Sequence, residues 1–435
     1  MRKLTFILLM GWVFFPSIVM AAEVTPVSEL LENAKAGDTI QLENHVYEED
    51  IIIDKSVHIK GAENTVIRGT GNGDVITIKA DGITLENVTI QHSSSNLDKD
   101  FAAIKVLSHH NKILHNTIED SLHGIYLERS NGNALIGNKI DGNLDLNISR
   151  RGNGIHLFHS SYNLLKNNTI DGARDGIYFS FADQTEITGN TISNTRYGIH
   201  YMYSHYNEFY DNEAFQNTGG AAIMYSTNIT LRDNTFYDHH GLQSFGILLQ
   251  TADEVVAENN EIYFNTKGIF MDQSGDNVIR NNLIANNQFG FDIWNSSTNN
   301  VITGNDIFNN ALQYTTNDHA KDKNIWSEDG AGNAWSGYTF IDLDQDGIGD
   351  KPYTYHSAFG EVLTEHQLGI LFLNSPALDL YESGNKMVTP TEGVIQDANP
   401  IHSSHTQSIP VLLILQMMTI FGVVIWMAFS FRRAN

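Results

Sequence analysis

Three side chains in this sequence form a soft metal-ligand set. His200 and Met202 follow Gly198 by two and four residues, and Met224 follows Gly220 by four. If these phrases stack as β-strands, alternate residues share a face and neighbouring coils lie about 4.8 Å apart. The three side chains then converge on one patch. Imidazole plus thioethers suits Cu(I) and suits Ca²⁺ or Mg²⁺ poorly. His156 holds the His200 position two coils earlier, about 10 Å away on that spacing, and reads as a neighbouring copper site or a relay. The same column, rich in aromatic rings and sulfur, also fits a protein-docking face.

A second metal chemistry is written in "DLDQDGIGD", residues 342–350. Asp342, Asp344 and Asp346 alternate, Gly347 permits a sharp turn, and Asp350 closes the group. Alternating carboxylates before a glycine open a Ca²⁺ loop. A full EF-hand needs Glu at the twelfth position, where Tyr353 stands, so the expectation is a shortened, dockerin-like loop. An enzymatic reading rests on Arg174 and Arg196, each two residues before a glycine. No paired carboxylates flank them in the adjacent columns, and glycoside hydrolysis requires such a pair. The two arginines read as partners of Asp171 or Asp175. No catalytic residue is assigned, and the expectation is a protein that is not an enzyme.

The elements that position these residues follow from a ladder. Asn116, Asn138, Asn168, Asn190, Asn212, Asn234, Asn260, Asn282 and Asn305 open the same phrase, mostly 22 residues apart. Glycines recur with them, from Gly124 and Gly154 to Gly290. Apolar columns lie two residues after each Asn, three before it, and one after most glycines. Each repeat therefore holds three short β-segments joined by Asn/Gly/Asp/Ser turns. Units this small bury an apolar face only by stacking on copies of themselves. The fold class is all-β: a right-handed single-stranded parallel β-helix, with about three strands per 22-residue coil. Asn at equivalent corners both donates and accepts, so stacked copies can bond along the axis. A second such column contains Asn111, Asn133, Asn163, Asn207, Asn277 and Asn300. Two steps are longer, and both insertions fall between Asn and Gly, around Asn143–Arg151 and Asp238–Gly241. Insertions confined to one edge mark a candidate working face.

The ends read differently. Residues 1–22 have the charge and apolar core of a secretory signal peptide. Residues 23–310 form the β-helix with an N-terminal cap that includes a helix near Val27–Ala36. Residues 311–380 form a C-terminal cap holding the acidic loop, and 381–409 a stalk linker. Residues 410–431 contain an uncharged apolar run long enough to span a bilayer, and 432–435 are a cytoplasmic tail that starts with Arg432 and Arg433. This arrangement expects a periplasmic protein held in the inner membrane by a C-terminal transmembrane helix. The chain has no cysteine, which excludes thiolate sites and disulfides. Its formal charge is −25, and losing the four terminal basic residues takes the exported part to −29. Such a surface repels nucleic acid and anionic polymers and favours cations and basic partners.

The strings "GNGIHLFHSSYNLLKNN", "DGIYFSFADQTEITGN" and "RYGIHYMYSHYNEFYDN", with the cap "GNAWSGYTFIDLDQDGIGDKPY" and "LFLNSPALDLY", resemble the NosD family. Members are periplasmic maturation factors of nitrous oxide reductase. The resemblance covers roughly residues 25–380. It implies a β-helix that docks on an ABC-type permease with its ATPase and helps assemble the copper–sulfur cluster of nitrous oxide reductase, without turnover of its own. A copper chaperone lipoprotein would be a further partner. The C-terminal span departs from a soluble NosD pattern. The alternatives are a lyase- or epimerase-like polysaccharide enzyme and a passive binding scaffold.

Overall fold

The computed structural model describes residues 24–403, apart from 318–320, 374 and 389–393. Three parallel sheets of 12, 13 and 12 strands run the length of the solenoid, and successive strands go to successive sheets. Each strand pairs with its counterpart one coil away. Ile118, Ile140, Ile170 and Ile192, for example, stack in register on the second sheet. These columns point inward and form one continuous core with buried Ile, Leu, Val and Phe from Val27 to Ile395. Burial of this apolar surface is the main favourable term in the fold.

The asparagines satisfy the corners. Asn168 is buried; its Oδ1 accepts from Asn138 N and Nδ2, both at 3.0 Å, and its Nδ2 donates to Leu135 O and Asn190 Oδ1 at 2.9 Å. A third ladder, on the same period, runs through Asn217, His239, Asn265, Asn287 and Asn310. The glycine column has a steric cause. A Cβ at Gly154 would lie 2.5 Å from Ile170 Cγ2 and 2.7 Å from Gly176 O, closer than atoms pack.

Helix α1 (Val27–Asn33) buries Val27 and Leu31 and covers the first coil, as expected. At the far end the boundaries move. The third sheet continues through Leu312–Thr315, and Ala334–Trp335 adds a strand to the second. Helices α2 (Ala358–Glu365) and α3 (Pro376–Val388) follow. The stalk expected over 381–409 is corrected: α3 extends to Val388, and Ile395–Asp397 pairs antiparallel with Tyr353–Tyr355. Asp397 is the cause. Its buried carboxylate accepts from Asn333 N at 2.7 Å and Trp335 Nε1 at 2.8 Å, which ties this stretch to the last coil. The expected signal peptide and transmembrane helix lie outside the described residues. Among the described residues no helix is long and apolar enough to cross a membrane.

Candidate functional site

The outer face of the third sheet carries the chemistry. Tyr126, His156, Tyr178, His200, Ala222, Leu248, Phe270 and Asp292 pair one above another, and Met202 pairs with Met224 in the neighbouring column. His200, Met202 and Met224 therefore share a face. Their surroundings differ, because Met224 packs on an apolar cluster of Ala222, Phe245 and Leu248. His200 turns to a polar partner that the sequence reading did not place here.

That partner is Asp175. Its carboxylate is 2% exposed and accepts from Arg196 Nε at 2.8 Å and Nη2 at 2.6 Å. His200 Nδ1 lies 3.1 Å from the same group. Burial alone would raise the Asp175 pKa, but the hydrogen bonds and charges of His200 and Arg196 outweigh it and hold it below the ordinary range. The ionised carboxylate at 3.1 Å favours the tautomer with the proton of His200 on Nδ1, and Arg196 Nη2 lies 3.4 Å from the same nitrogen. In the neutral tautomer with the proton on Nδ1, Nε2 carries a lone pair, and this atom is buried with no hydrogen-bond partner among the described residues. Carboxylate–histidine pairs of this form orient metal-binding imidazoles.

His156 is a second station. Its ring lies between Tyr126 and Tyr178, with centroids 4.5 and 4.7 Å away. Both ring nitrogens are buried and have no hydrogen-bond partner among the described residues. Burial, followed by the charge of His123, pushes its pKa down to about 3, so the imidazole is neutral with one lone pair to offer. The Tyr178 ring separates it from His200, at 4.9 Å from the latter. A single ion bonded at about 2 Å to a nitrogen cannot reach both. Sequence reasoning also missed His123, 5.6 Å from His156 between centroids. Its Nδ1 accepts from Asn153 N at 2.9 Å, and its Nε2 faces Asp100 at 3.6 Å. Both nitrogens are engaged, so His123 borders the site without a free lone pair.

The missed residues follow one rule. The glycine turn at each corner sends the preceding residue outward, where it meets the second residue after the next coil's glycine. Asp175 meets His200 in this way, and Lys267 meets Asp292 as a buried pair at 2.6 Å. Both pairs are 25 residues apart, the signal that could have found them. A further insertion at this corner, residues 92–101, brings in Asp100.

His156, His200, His123, Asp100, Asp175 and Arg174 line a cavity of about 400 Å³. The insertion expected near Asn143–Arg151 borders it and is stapled by one side chain. Arg151 donates to Leu144 O, Leu146 O, Gly172 O and Asn194 O at 2.9–3.3 Å, spanning three coils. The other insertion offers no histidine pair. His239 is buried in an asparagine ladder, while exposed His240 bonds Asp238 at 2.6 Å. Two carboxylates, Asp100 from the insertion and Asp175 from the corner, line the same cavity. Hydrogen bonding from His123 lowers the Asp100 pKa, so both stay ionised. Hydrolysis by a carboxylate pair needs one of them held protonated.

In the acidic loop, Asp342, Asp344 and Asp346 each bring a carboxylate oxygen within 4.8 Å of the others. Repulsion from Asp346 raises the Asp344 pKa. Asp342 accepts from Gln345 N at 2.6 Å and Gly347 N at 3.0 Å, and Gly347 takes a φ of 87°. Asp350 accepts from Leu343 N at 2.9 Å and is not among the three grouped carboxylates.

Fold and site together define a parallel β-helix with a histidine–carboxylate cavity on one sheet. The family described as "Right handed beta helix region" matches residues 51–219, and "Periplasmic copper-binding protein (NosD)" matches 136–340. The "Probable ABC transporter binding protein NosD" of Pseudomonas aeruginosa is 34% identical over 375 residues, covering 82% of this chain and 86% of that one. The protein of the same description from Stutzerimonas stutzeri is 30% identical over 145 residues, 33% of each chain. The chain belongs to the NosD family. Among solved structures, the Dettilon tailspike protein superposes with a TM-score of 0.51 at 14% identity, over 63% of this chain and 61% of the tailspike, a likeness of fold alone.

Proposed function

We propose that this chain is a periplasmic, copper-handling accessory protein that helps assemble the copper–sulfur cluster of nitrous oxide reductase. It does so docked on an ABC-type permease and its ATPase. Copper is cargo: His156 and His200 hold Cu(I) in passing, with Met202 and Met224 as soft donors beside His200, and a copper chaperone lipoprotein supplies the ion. The observation that carries this reading is the pair of buried imidazoles with free nitrogens on one face, one of them oriented by a carboxylate. Family membership and the descriptions of the relatives support the same reading. The subunit itself performs no turnover. The test is deletion of the gene followed by metal analysis of the reductase. The expected result is a reductase without its catalytic copper cluster; a fully metallated, active reductase from the deletion strain rules the function out.

The acidic loop is proposed to hold a structural Ca²⁺ through Asp342, Asp344 and Asp346, with Asp350 bracing the loop through Leu343 N. The loop fits a hard cation because carboxylates crowd together while backbone N–H groups orient Asp342. Calcium should raise the melting temperature of the cap by several degrees, and an unchanged melt with calcium or with a chelator removes the ion from this reading. The apolar run at 411–431 is proposed as the inner-membrane anchor, supported by its length and by Arg432 and Arg433 after it.

A further inference from the structure

Among the described residues the four most exposed leucines all lie in the C-terminal cap. Leu343 is 82% exposed, and Leu368, Leu371 and Leu380 are each 76% exposed. Phe372 and Tyr381 are exposed beside them in sequence, so residues 368–381 put five large apolar side chains into solvent. The same segment is anchored from within: Ile370 and Leu373 pack on Phe289 and Leu312 at the end of the third sheet and on Leu363 of α2. A short helical segment with one apolar side in the core and another in solvent is covered by something.

The path of the chain says what covers it. Ser403 donates to Asp306 at 2.8 Å, against a strand of the last regular coil. Only residues 404–410 separate it from the apolar run that starts at Val411. Seven residues span about 25 Å when fully extended. Because 394–403 fold back into the cap, the 29-residue stalk expected from the sequence shrinks to this tether. With the proposed anchor starting at Val411, this short tether would bring the cap, rather than the side of the solenoid, to the membrane.

We propose that the cap rests on the lipid bilayer, with Leu368, Leu371, Phe372 and Leu380 inserted among the headgroups and upper acyl chains. This rests on the anchor reading above. Charge does not drive the contact, because α3 carries Asp379 and Glu382 against Lys386. Insertion is apolar and occurs on zwitterionic lipid without anionic headgroups. The arrangement stands the solenoid off the membrane. The strand of His200 lies five steps from the last strand of its sheet, about 24 Å above the cap.

The absence of cysteine gives a clean test. The full chain carrying Leu371→Cys or, separately, Leu380→Cys is labelled with an environment-sensitive dye and reconstituted in phosphatidylcholine vesicles. Tyr206→Cys, on the side of the solenoid, serves as the control. The expected result is a blue shift at 371 and 380, with at least threefold quenching by shallow nitroxide lipids and none at 206. A chain that floats with the vesicles but leaves both probes in water overturns the cap contact and leaves the anchor standing. A chain that does not float overturns both. Shielding that appears only when the permease is added gives the patch to that protein and overturns the lipid contact. Two probe positions guard against one variant failing to fold.

Discussion

Changing both His156 and His200 to phenylalanine is expected to reduce Cu(I) retention by the purified protein on the order of 100-fold, with little change in fold. Phenylalanine keeps a ring in each stack and removes only the nitrogens. The single variants separate two arrangements. Tyr178 lies between the imidazoles, with centroids 4.7 and 4.9 Å from each, so they serve two ions in line and not one shared ion. Each single variant should therefore lower the stoichiometry by one, while the remaining station keeps its affinity. Replacing Met202 and Met224 with leucine should weaken only the His200 station, by about 10-fold, if these soft donors, on the same strand and the next, reach the ion held there. Equilibrium competition with a chromogenic Cu(I) chelator reads all of these. Undiminished retention in the double variant takes copper away from this face.

The sequence period made the solenoid legible because stacking is local bookkeeping. Every Ile118-type residue must find its copy one coil away, so the apolar columns record the register directly. The outward columns after the glycines were legible for the same reason, and with them His156, His200, Met202 and Met224. Asp175 was not, because strict alternation puts the residue before glycine inside, whereas the turn at Gly176 throws it outward. Arg196 was read as a possible partner of Asp171 or Asp175; the structure chooses Asp175, and Asp171 instead accepts from Ser193 and Asn194. His123, which precedes Gly124, was hidden in the same way as Asp175, and Asp100 because it sits in the 92–101 insertion ahead of the regular ladder. The folded stretch at 394–403 has no period. One buried carboxylate, Asp397, fixes it from 62 residues beyond Trp335, and such a contact leaves no local pattern.

Arg196→Met is expected to cost about 3–5 kcal/mol at neutral pH, read as a shift of the urea midpoint. The loss exceeds that of a surface pair because Asp175 is almost wholly buried, and removing its bidentate partner strands the charge. The acid dependence follows from the direction of the shift. In the folded protein the Asp175 pKa lies below its unfolded value, so the stability it contributes is fully present above the unfolded carboxylate pKa. That contribution is lost as pH falls through the folded value. In the variant, burial is no longer offset by the guanidinium, so the pKa rises and the carboxyl takes up a proton readily. The gap between the two proteins should then narrow as pH falls through the variant's raised pKa, and go on narrowing toward the depressed folded value of the parent protein. Adding Asp175→Asn should recover much of the loss at pH 7, because the stranded charge is gone. The same double variant should still bind less Cu(I) at the His200 station, since an amide oxygen holds the Nδ1 proton more weakly than a carboxylate does. Stability restored with affinity still impaired would separate the two tasks of this carboxylate. A cost below 1 kcal/mol for Arg196→Met, or no recovery in the double variant, would mean that the buried triad neither stabilises this face nor sets the orientation of His200.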